Sequence, residues 1–426
     1  MAGDCWQTPL LMRIFVWHGY LLAGTGSNIY TRQLAREWRR DGHDVTVFSQ
    51  EPHPERYDLG GAETVRPDVG GLLPVFVLDE YEGYEVKRLQ DCTRAELDAW
   101  VEANAAALRE RLPVDFAFVN HVLLGGPVGA AVGAPYVVKA HGSELEYSMR
   151  GNAGLSAWGQ QALAGAAASI VGSAHIREVL ADVCGQVERV YEIPPGVDVE
   201  LWRPAPREEA LGALLEEARN DPPNPGDANE RAPDEGNADR LAAFLGGDRP
   251  TVVYFGKLIE NKGVQVLLDA LRGLEARAVI VGFGDYRADL ERQAEGLDVV
   301  FTGPLEHRHL VHLLALADAA VVPSIFPEAF GMVAAESAAA GCPPIVANHS
   351  GLAEIAQGLA RYYPPERRHL ASFPSGDVDE LRSRLEEQLA LAPAEREELR
   401  AAAREATVSL WSWTSVARRI LEAAGQ

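Results

Sequence analysis

Short β-branched and aromatic runs recur along this chain, and each is followed by a loop and then by a segment of helical period. Met12–Trp17 (MRIFVW) is the first such run. The loop HGYLLAGTGSN follows it, then an amphipathic stretch Ile29–Arg40, a stop at Asp41-Gly42-His43, and a second run Val45–Phe48. Strand, helix and strand in that order form a βαβ unit, which dictates a parallel sheet with a right-handed crossover. The series starts again at Thr251–Phe255. A chain of 426 residues is too long for a single core. The expected fold class is therefore α/β, with two consecutive doubly wound units. Ligands of such sheets bind beyond the carboxyl ends of the strands.

Between the two series, Pro194-Pro195-Gly196 marks a boundary. The segment from about Pro204 to Asp248 differs in character. Its centre, residues 220–240, holds no apolar side chain larger than Ala, so it is expected to remain an unordered acidic insertion in a linker. In the first half, Val75–Leu78, Asp115–Val119, Tyr136–Lys139, Ser169–Val171 and Val190–Ile193 are further expected strands. Residues 52–74 read as loop, and Asp91–Arg111, Leu155–Ala168 and His175–Val183 as helices. In the second half, strands are expected at Ala278–Val281, Val299–Phe301, Ala319–Val322 and Pro344–Ala347. Helices are expected at Val264–Leu274, Tyr286–Glu295, His309–Leu316 and Gly331–Ala340, the last closed by Gly341.

Composition excludes several functions. The net charge of −23 opposes nonspecific nucleic-acid binding, which needs a basic face. No apolar run reaches the length of a membrane span, and no basic region followed by an apolar stretch and cleavage site opens the sequence. Cys5, Cys92, Cys184 and Cys342 lack metal-ligand spacing and are expected as free thiols of a cytoplasmic protein. No HExxH, no DxD after an apolar strand, no GxSxG elbow and no Walker A loop occurs, so no metal site is expected. His307, His309 and His312 are read as a solvated or nucleotide-adjacent helix start.

Five loops carry the candidate chemistry. Gly24-Thr25-Gly26 can bring backbone N–H groups to a phosphate at a helix start. A dinucleotide fingerprint would need a third glycine, and Ile29 stands in its place. Lys occurs only at positions 87, 139, 257 and 262, and two of these four frame one glycine-bounded loop, GKLIENKG. Lys257 and Lys262 can converge there on a diphosphate as point charges. Lys139-Ala140-His141-Gly142-Ser143-Glu144 puts His141 at a strand's carboxyl end, where it can hydrogen-bond or handle a proton. Val281–Asp285 (VGFGD) is a glycine turn of the same kind. In the fifth, Glu328 precedes and Glu336 lies on a helix whose N-terminus offers N–H groups to an anion, with hydroxyl-rich groups expected on either side.

In order, these segments resemble the retaining glycosyltransferases of family 4 (glycosyl transferases group 1). EAFGMVAAE, Glu328 to Glu336, fits the E-x7-E motif of that family. GKLIENKG is similar to its G-[RK]-L-x3-K-G loop, VGFGD to its V-G-x-G turn, and PPGVDVELWRP to its interdomain connector; HGSE and SAHIREVL match first-domain segments. The resemblance implies a GT-B fold of two doubly wound Rossmann-like domains facing across a cleft. The expected boundaries are 1–195 for an acceptor-side domain, 196–249 for the connector and 250–410 for the nucleotide-sugar domain. A C-terminal helix, 411–426, would return to the first domain, and closure would follow a hinge motion.

It also implies metal-independent, retaining transfer of a hexose from a UDP- or GDP-sugar to an acceptor hydroxyl. Lys257, Lys262 and the Phe330-Gly331-Met332 helix start would neutralise the diphosphate, with Gly282 in the donor turn. Glu336 would hold the ribose and Glu328 the sugar. His141 would act near the anomeric carbon, and Gly24 and Gly26 would cover the phosphates. No cofactor is implied beyond the sugar-nucleotide donor. The acceptor, a small molecule or glycan read as soluble, would meet Tyr81, Tyr84, Asn120 and His121, and a homodimer stays open. Lys257 stands where many relatives carry Arg, keeping charge but losing the bidentate fork. Epimerisation or hydrolysis of a sugar nucleotide, or a catalytically silent binding module, are the alternatives.

Overall fold

The computed structural model describes residues 11–22, 25–76, 81–222, 224 and 232–425. They form two compact units, residues 1–195 with Val416–Gln426, and Gly196–Ser415. Chain order in the first unit is β1 (Arg13–Trp17), β2 (Asp44–Phe48), β3 (Glu63–Val65), β4 (Leu72–Val75), β5 (Glu85–Arg88), β6 (Phe116–Asn120), β7 (Tyr136–Lys139), β8 (Ala168–Val171) and β9 (Val190–Glu192). Seven of them make one parallel sheet in the order β3-β2-β1-β6-β7-β8-β9, and β4 pairs with β5 apart from it. The strand order reverses between β1 and β6.

The second unit repeats the plan with β10 (Thr251–Phe255), β11 (Arg277–Val281), β12 (Val299–Phe301), β13 (Ala319–Val322), β14 (Pro344–Ala347) and β15 (Ser372–Phe373). All six are parallel in the order β12-β11-β10-β13-β14-β15, so the reversal falls between β10 and β13. The central strands of both sheets are buried along their length. Continuous apolar runs rather than alternation are what a sheet covered on both faces requires.

Helix ends follow local chemistry. Helix Arg94–Arg109 starts at a capping box in which Glu96 N donates to Thr93 Oγ1 and Thr93 N to Glu96. Gly341, at φ +75°, follows helix Met332–Ala339.

Three readings are corrected. The stretch 52–74 contains β3 and the start of β4, short strands that periodicity does not reveal. Residues 204–248 are not a bare linker: helices Arg207–Arg219 and Asn237–Leu245 occupy most of it, while 223 and 225–231 lie outside the described residues. His309 is fully buried with its ring 3.0 Å from Asp221, so it is not solvated, whereas His307 is exposed at the helix start with its ring edge-on to Trp202. Cys184 and Cys342 are buried free thiols, each pushed up to about 12 by burial; Cys5 is outside the described residues.

Candidate functional site

The reversal in the second sheet gathers three loops at the carboxyl ends of β11, β10 and β13. Backbone hydrogen bonds stitch them together. Gly256 N donates to Val281 O (3.0 Å) and Leu258 N to Phe283 O (2.8 Å). On the other side Ile325 N donates to Asn261 O (3.0 Å), and Ser324 Oγ to the same carbonyl (3.2 Å). The stitching leaves no room for side chains. At Gly282, φ +147°, a Cβ would fall 1.8 Å from Gly256 O. Glycine is required at that turn by sterics as well as by φ.

Lys262 lies on the lysine loop and Glu328 on the acidic loop, and they form an ion pair. Lys257 is exposed, its carbonyl accepting from Tyr254 Oη (2.8 Å). Of the two expected lysines, then, one is joined to the acidic loop and the other points to solvent. The acidic loop is braced from behind by helix Ser350–Tyr362. Glu328 N donates to Ser350 Oγ (2.8 Å), and Gly351 N donates to Glu328 O (2.9 Å). A Cβ on Gly351 would come within 2.6 Å of Phe330 Cα. This bracing was missed in the sequence; the pair Ser350-Gly351 is its only trace there.

Phe330 is buried against Trp411, Gly331 is the N-cap, and Met332 opens the helix, so its first N–H groups have no intrahelical acceptor. Glu336 is on the second turn of that helix. Burial pushes its carboxyl up to about 8, and its side chain makes no hydrogen bond or ion pair among the described residues. A half-buried acid whose side chain has no hydrogen-bond partner among the described residues is a group prepared for a ligand's hydroxyls.

In the first unit, Gly26 is the first residue of helix Gly26–Arg40, after N-cap Thr25; Gly24 lies outside the described residues. Asn120 and His121 end β6 and His141 follows β7. Asn120 is fully buried. Its Nδ2 donates to Trp17 O (3.1 Å) and Thr31 Oγ1 (3.2 Å), and its Oδ1 faces His141 Nε2 at 2.7 Å. Since Trp17 O can only accept, Oδ1 must accept from His141 Nε2–H, which leaves His141 Nδ1 as the lone-pair nitrogen. Asn120 thus orients His141. Burial, then His121, Lys139 and His18, hold the His141 imidazole well below its ordinary value.

Tyr84 Oη donates to Gln50 (2.7 Å) and accepts from Arg66 (2.8 Å), while Tyr81 packs beside it on the same core. Sequence reasoning passed over His18, Lys139 and Glu144 as site residues, and all three are buried in this cluster. Lys139 is pushed down to about 7 by burial. Among the described residues no group of three or more His, Cys, Asp or Glu could hold a metal, and no helix is long and apolar enough to cross a membrane.

Two parallel doubly wound units, the second with a lysine loop, an acidic loop and a helix N-terminus at its strand reversal, define a GT-B architecture. The chain belongs to the family 4 glycosyltransferases, glycosyl transferases group 1: the group 1 family matches residues 238–406 and the family 4 glycosyltransferase family matches residues 24–201. It is 44% identical over 110 residues to a GDP-mannose-dependent phosphatidylinositol dimannoside mannosyltransferase of Mycobacterium tuberculosis, covering 24% of this chain and 29% of that protein. It is 31% identical over 179 residues to D-inositol 3-phosphate glycosyltransferase of Xylanimonas cellulosilytica, covering 40% and 37%. The match thus spans about a third of these curated relatives. Among solved structures, HepE of Anabaena in complex with UDP and glucose aligns with a TM-score of 0.64 at 16% identity, over 97% of this chain and all of that one. A sucrose-phosphate synthase of Thermosynechococcus elongatus aligns at 0.59 and 21%, over 96% and 98%. At these identities the structures speak for the fold.

Proposed function

We propose that this chain transfers a hexose from a UDP- or GDP-sugar to an acceptor hydroxyl, with retention at the anomeric carbon and without a metal. The observation that carries the reading is the Lys262–Glu328 pair beside the Met332 helix start, with Glu336 unpartnered on the same helix. Donor use by relatives supports it: one is named as GDP-mannose-dependent, and HepE is in complex with UDP.

In this reading the leaving nucleoside diphosphate gains negative charge as its bond to the sugar breaks. Lys262, Lys257 and the helix N–H groups supply preorganised positive potential at that charge. Glu336 accepts from the ribose hydroxyls. Glu328, fixed by Lys262 and Ser350, accepts from sugar hydroxyls. Neutral His141 offers Nδ1 as an acceptor near the anomeric carbon.

Titration calorimetry with UDP-glucose and GDP-mannose tests this. Wild type should bind one of them, and Glu336→Ala should weaken that binding by about 10–100-fold, the loss of one or two charge-assisted hydrogen bonds. Unchanged affinity in Glu336→Ala would overturn the donor assignment. Release of an epimer, or of free sugar as the sole product with every acceptor tried, would instead favour the epimerase or hydrolase alternative.

A further inference from the structure

The acidic loop of the second unit is pinned at both ends by two consecutive residues, His349 and Ser350, which lie just after β14. At one end His349 Nε2 faces Ser324 O at 2.6 Å, and Ser375 Oγ donates to the same carbonyl (3.4 Å). At the other end Ser350 Oγ accepts from Glu328 N (2.8 Å), and Gly351 N donates to Glu328 O (2.9 Å). His349 Nδ1 and Ser350 Oγ are 3.0 Å apart, so the two pins are joined. Between them Ile325, Phe326 and Pro327 are exposed.

The polarity of this chain of bonds follows from its ends. A backbone carbonyl can only accept, so His349 Nε2 donates to Ser324 O. A backbone N–H can only donate, so Ser350 Oγ accepts from Glu328 and has its own proton left for His349 Nδ1. Helix capping does not explain these positions. His349 is the N-cap of helix Ser350–Tyr362, yet its side chain makes no capping bond. A serine at the N-cap would make one. Here serine stands one position later, at φ +47°, a left-handed conformation that non-glycine residues rarely adopt and that collects at functional sites. Its hydroxyl bonds the acidic loop instead of the helix. The same helix packs closely on the far side of the loop, where a Cβ on Gly331 would meet Leu352 Cδ2 at 2.7 Å.

We propose that His349 and Ser350 are positioning residues for Glu328, and that they set which hydroxyls of the donor sugar its carboxylate can meet. The proposal rests on the donor reading above, in which Glu328 takes the sugar and Glu336 the ribose. With its N–H and its carbonyl both held, the Glu328 backbone presents its side chain in few directions, and the Lys262 ion pair selects among them. Sugar epimers differ only in where one hydroxyl lies. A carboxylate held in one place discriminates between them, whereas a loosely held one follows the hydroxyl. The diphosphate and the ribose are met by other residues, so the pins act on the sugar alone.

Ser350→Gly removes the hydroxyl at a position whose φ suits glycine, so the fold is kept. Ser350→Ala removes the same hydroxyl but keeps the left-handed strain, and should unfold about 2–4 °C below Ser350→Gly. The probes in titration calorimetry are UDP, UDP-glucose and UDP-galactose, and GDP, GDP-mannose and GDP-glucose. Both variants should bind the nucleoside diphosphate as wild type does. The ratio of the sugar-nucleotide to the diphosphate dissociation constant should rise about tenfold, the loss of one hydrogen bond to a charged group. Preference between the two epimers should shrink by a similar factor. His349→Leu should do the same. His349→Gln, whose amide can still donate to Ser324 O, should restore most of the wild-type ratio.

An unchanged ratio in both serine variants overturns the proposal. So does an equal loss of diphosphate and sugar-nucleotide affinity, which marks a brace of the whole site rather than of the sugar contact. Amide hydrogen exchange needs no ligand. Glu328 N–H should be protected in wild type and exchange about tenfold faster in Ser350→Gly, and equal rates overturn the proposal too. Failure of wild type to bind any of these nucleotides counts against the donor reading instead, and hydrogen exchange still decides whether Ser350 holds the loop.

Discussion

Glu336 shows how much a single residue can report. Its raised value means that below about pH 8 the unliganded carboxyl holds a proton. A ribose hydroxyl donating to it favours the ionised form, so binding must expel that proton. The sign follows: nucleotide affinity should rise with pH up to about 8 and then level off, falling by up to tenfold per unit below it. At pH 7 the binding enthalpy should vary with the ionisation enthalpy of the buffer, and at pH 9 it should not. Calorimetry in two buffers checks this, and a buffer-independent enthalpy at pH 7 would count against it. The same shift costs stability in the empty protein. The native state binds the proton more tightly than the unfolded chain, so the cost is absent below about pH 4.5, grows as pH rises and is complete above about 8. Residues such as Glu328, Glu336 and Lys262 could be picked out in the sequence because each lies in a short motif on one strand-loop-helix segment. Glu144 could not be assigned a role. Its partners His121 and Val122 are 23 and 22 positions away, and nothing local marks the convergence. Lys139 and His18 each stand at the head of a loop that the sequence marks, with no local sign of a role for either.

Among elements, the strands were legible and the insertion was not. A buried parallel strand is a dense apolar run, so β1, β7, β10 and β13 announce themselves. Helix Arg207–Arg219 needs only Ala210 and Leu214, four apart, to bury one face against helix His307–Leu316, and so little apolar content reads as linker. Charge does the rest. Arg308 bonds Glu217 (2.6 Å) and Asp221 (2.5 Å), while Arg287 grips Asp234 through two bonds of 2.8 and 2.6 Å. Asp234 N also donates to Thr302 O (2.9 Å), tying the insertion to the end of β12. The Arg287–Asp234 pair is mostly shielded, with 29% and 19% of the side chains exposed, so it should outweigh the ordinary surface ion pair. Asp234→Ala is expected to cost about 1–3 kcal/mol. For a unit of this size that lowers the unfolding midpoint by roughly 2–4 °C per kcal/mol. Thermal unfolding followed by circular dichroism measures it, and an unchanged midpoint would show that the helices, not this pair, hold the insertion.

For the whole molecule, the two-unit plan could be read from the repeated βαβ openings, but the path of the chain between units required coordinates. The expected separate connector is part of the second unit, which runs from Gly196 to Ser415. The last helix, Trp413–Ala424, begins in that unit, where the Trp413 ring lies against Gly196, and ends with Val416–Gln426 in the first. Val416, Ala417 and Ile420 have no exposed surface. Trp38 Nε1 donates to Ala417 O (3.2 Å) and Arg419 to Glu192 O (2.7 Å). Val416, Ala417, Ile420 and Ala423 are therefore core of the N-terminal unit, supplied from the opposite end of the chain. Ending the chain after Ser415 removes that cover. Burying a Val or Ile side chain contributes about 1.5–3 kcal/mol, so losing Val416 and Ile420 alone is a large fraction of a domain's stability. Scanning calorimetry should show the transition of the first unit moving down by many degrees or disappearing, while that of the second stays. Lys262, Glu328 and Glu336 all belong to the second unit, so the truncated chain should still bind the nucleoside diphosphate of whichever donor the full chain takes. Loss of that binding along with the first unit would mean that the donor site depends on residues outside 196–415. A single unshifted transition would mean that the terminal helix adds nothing to the core it covers.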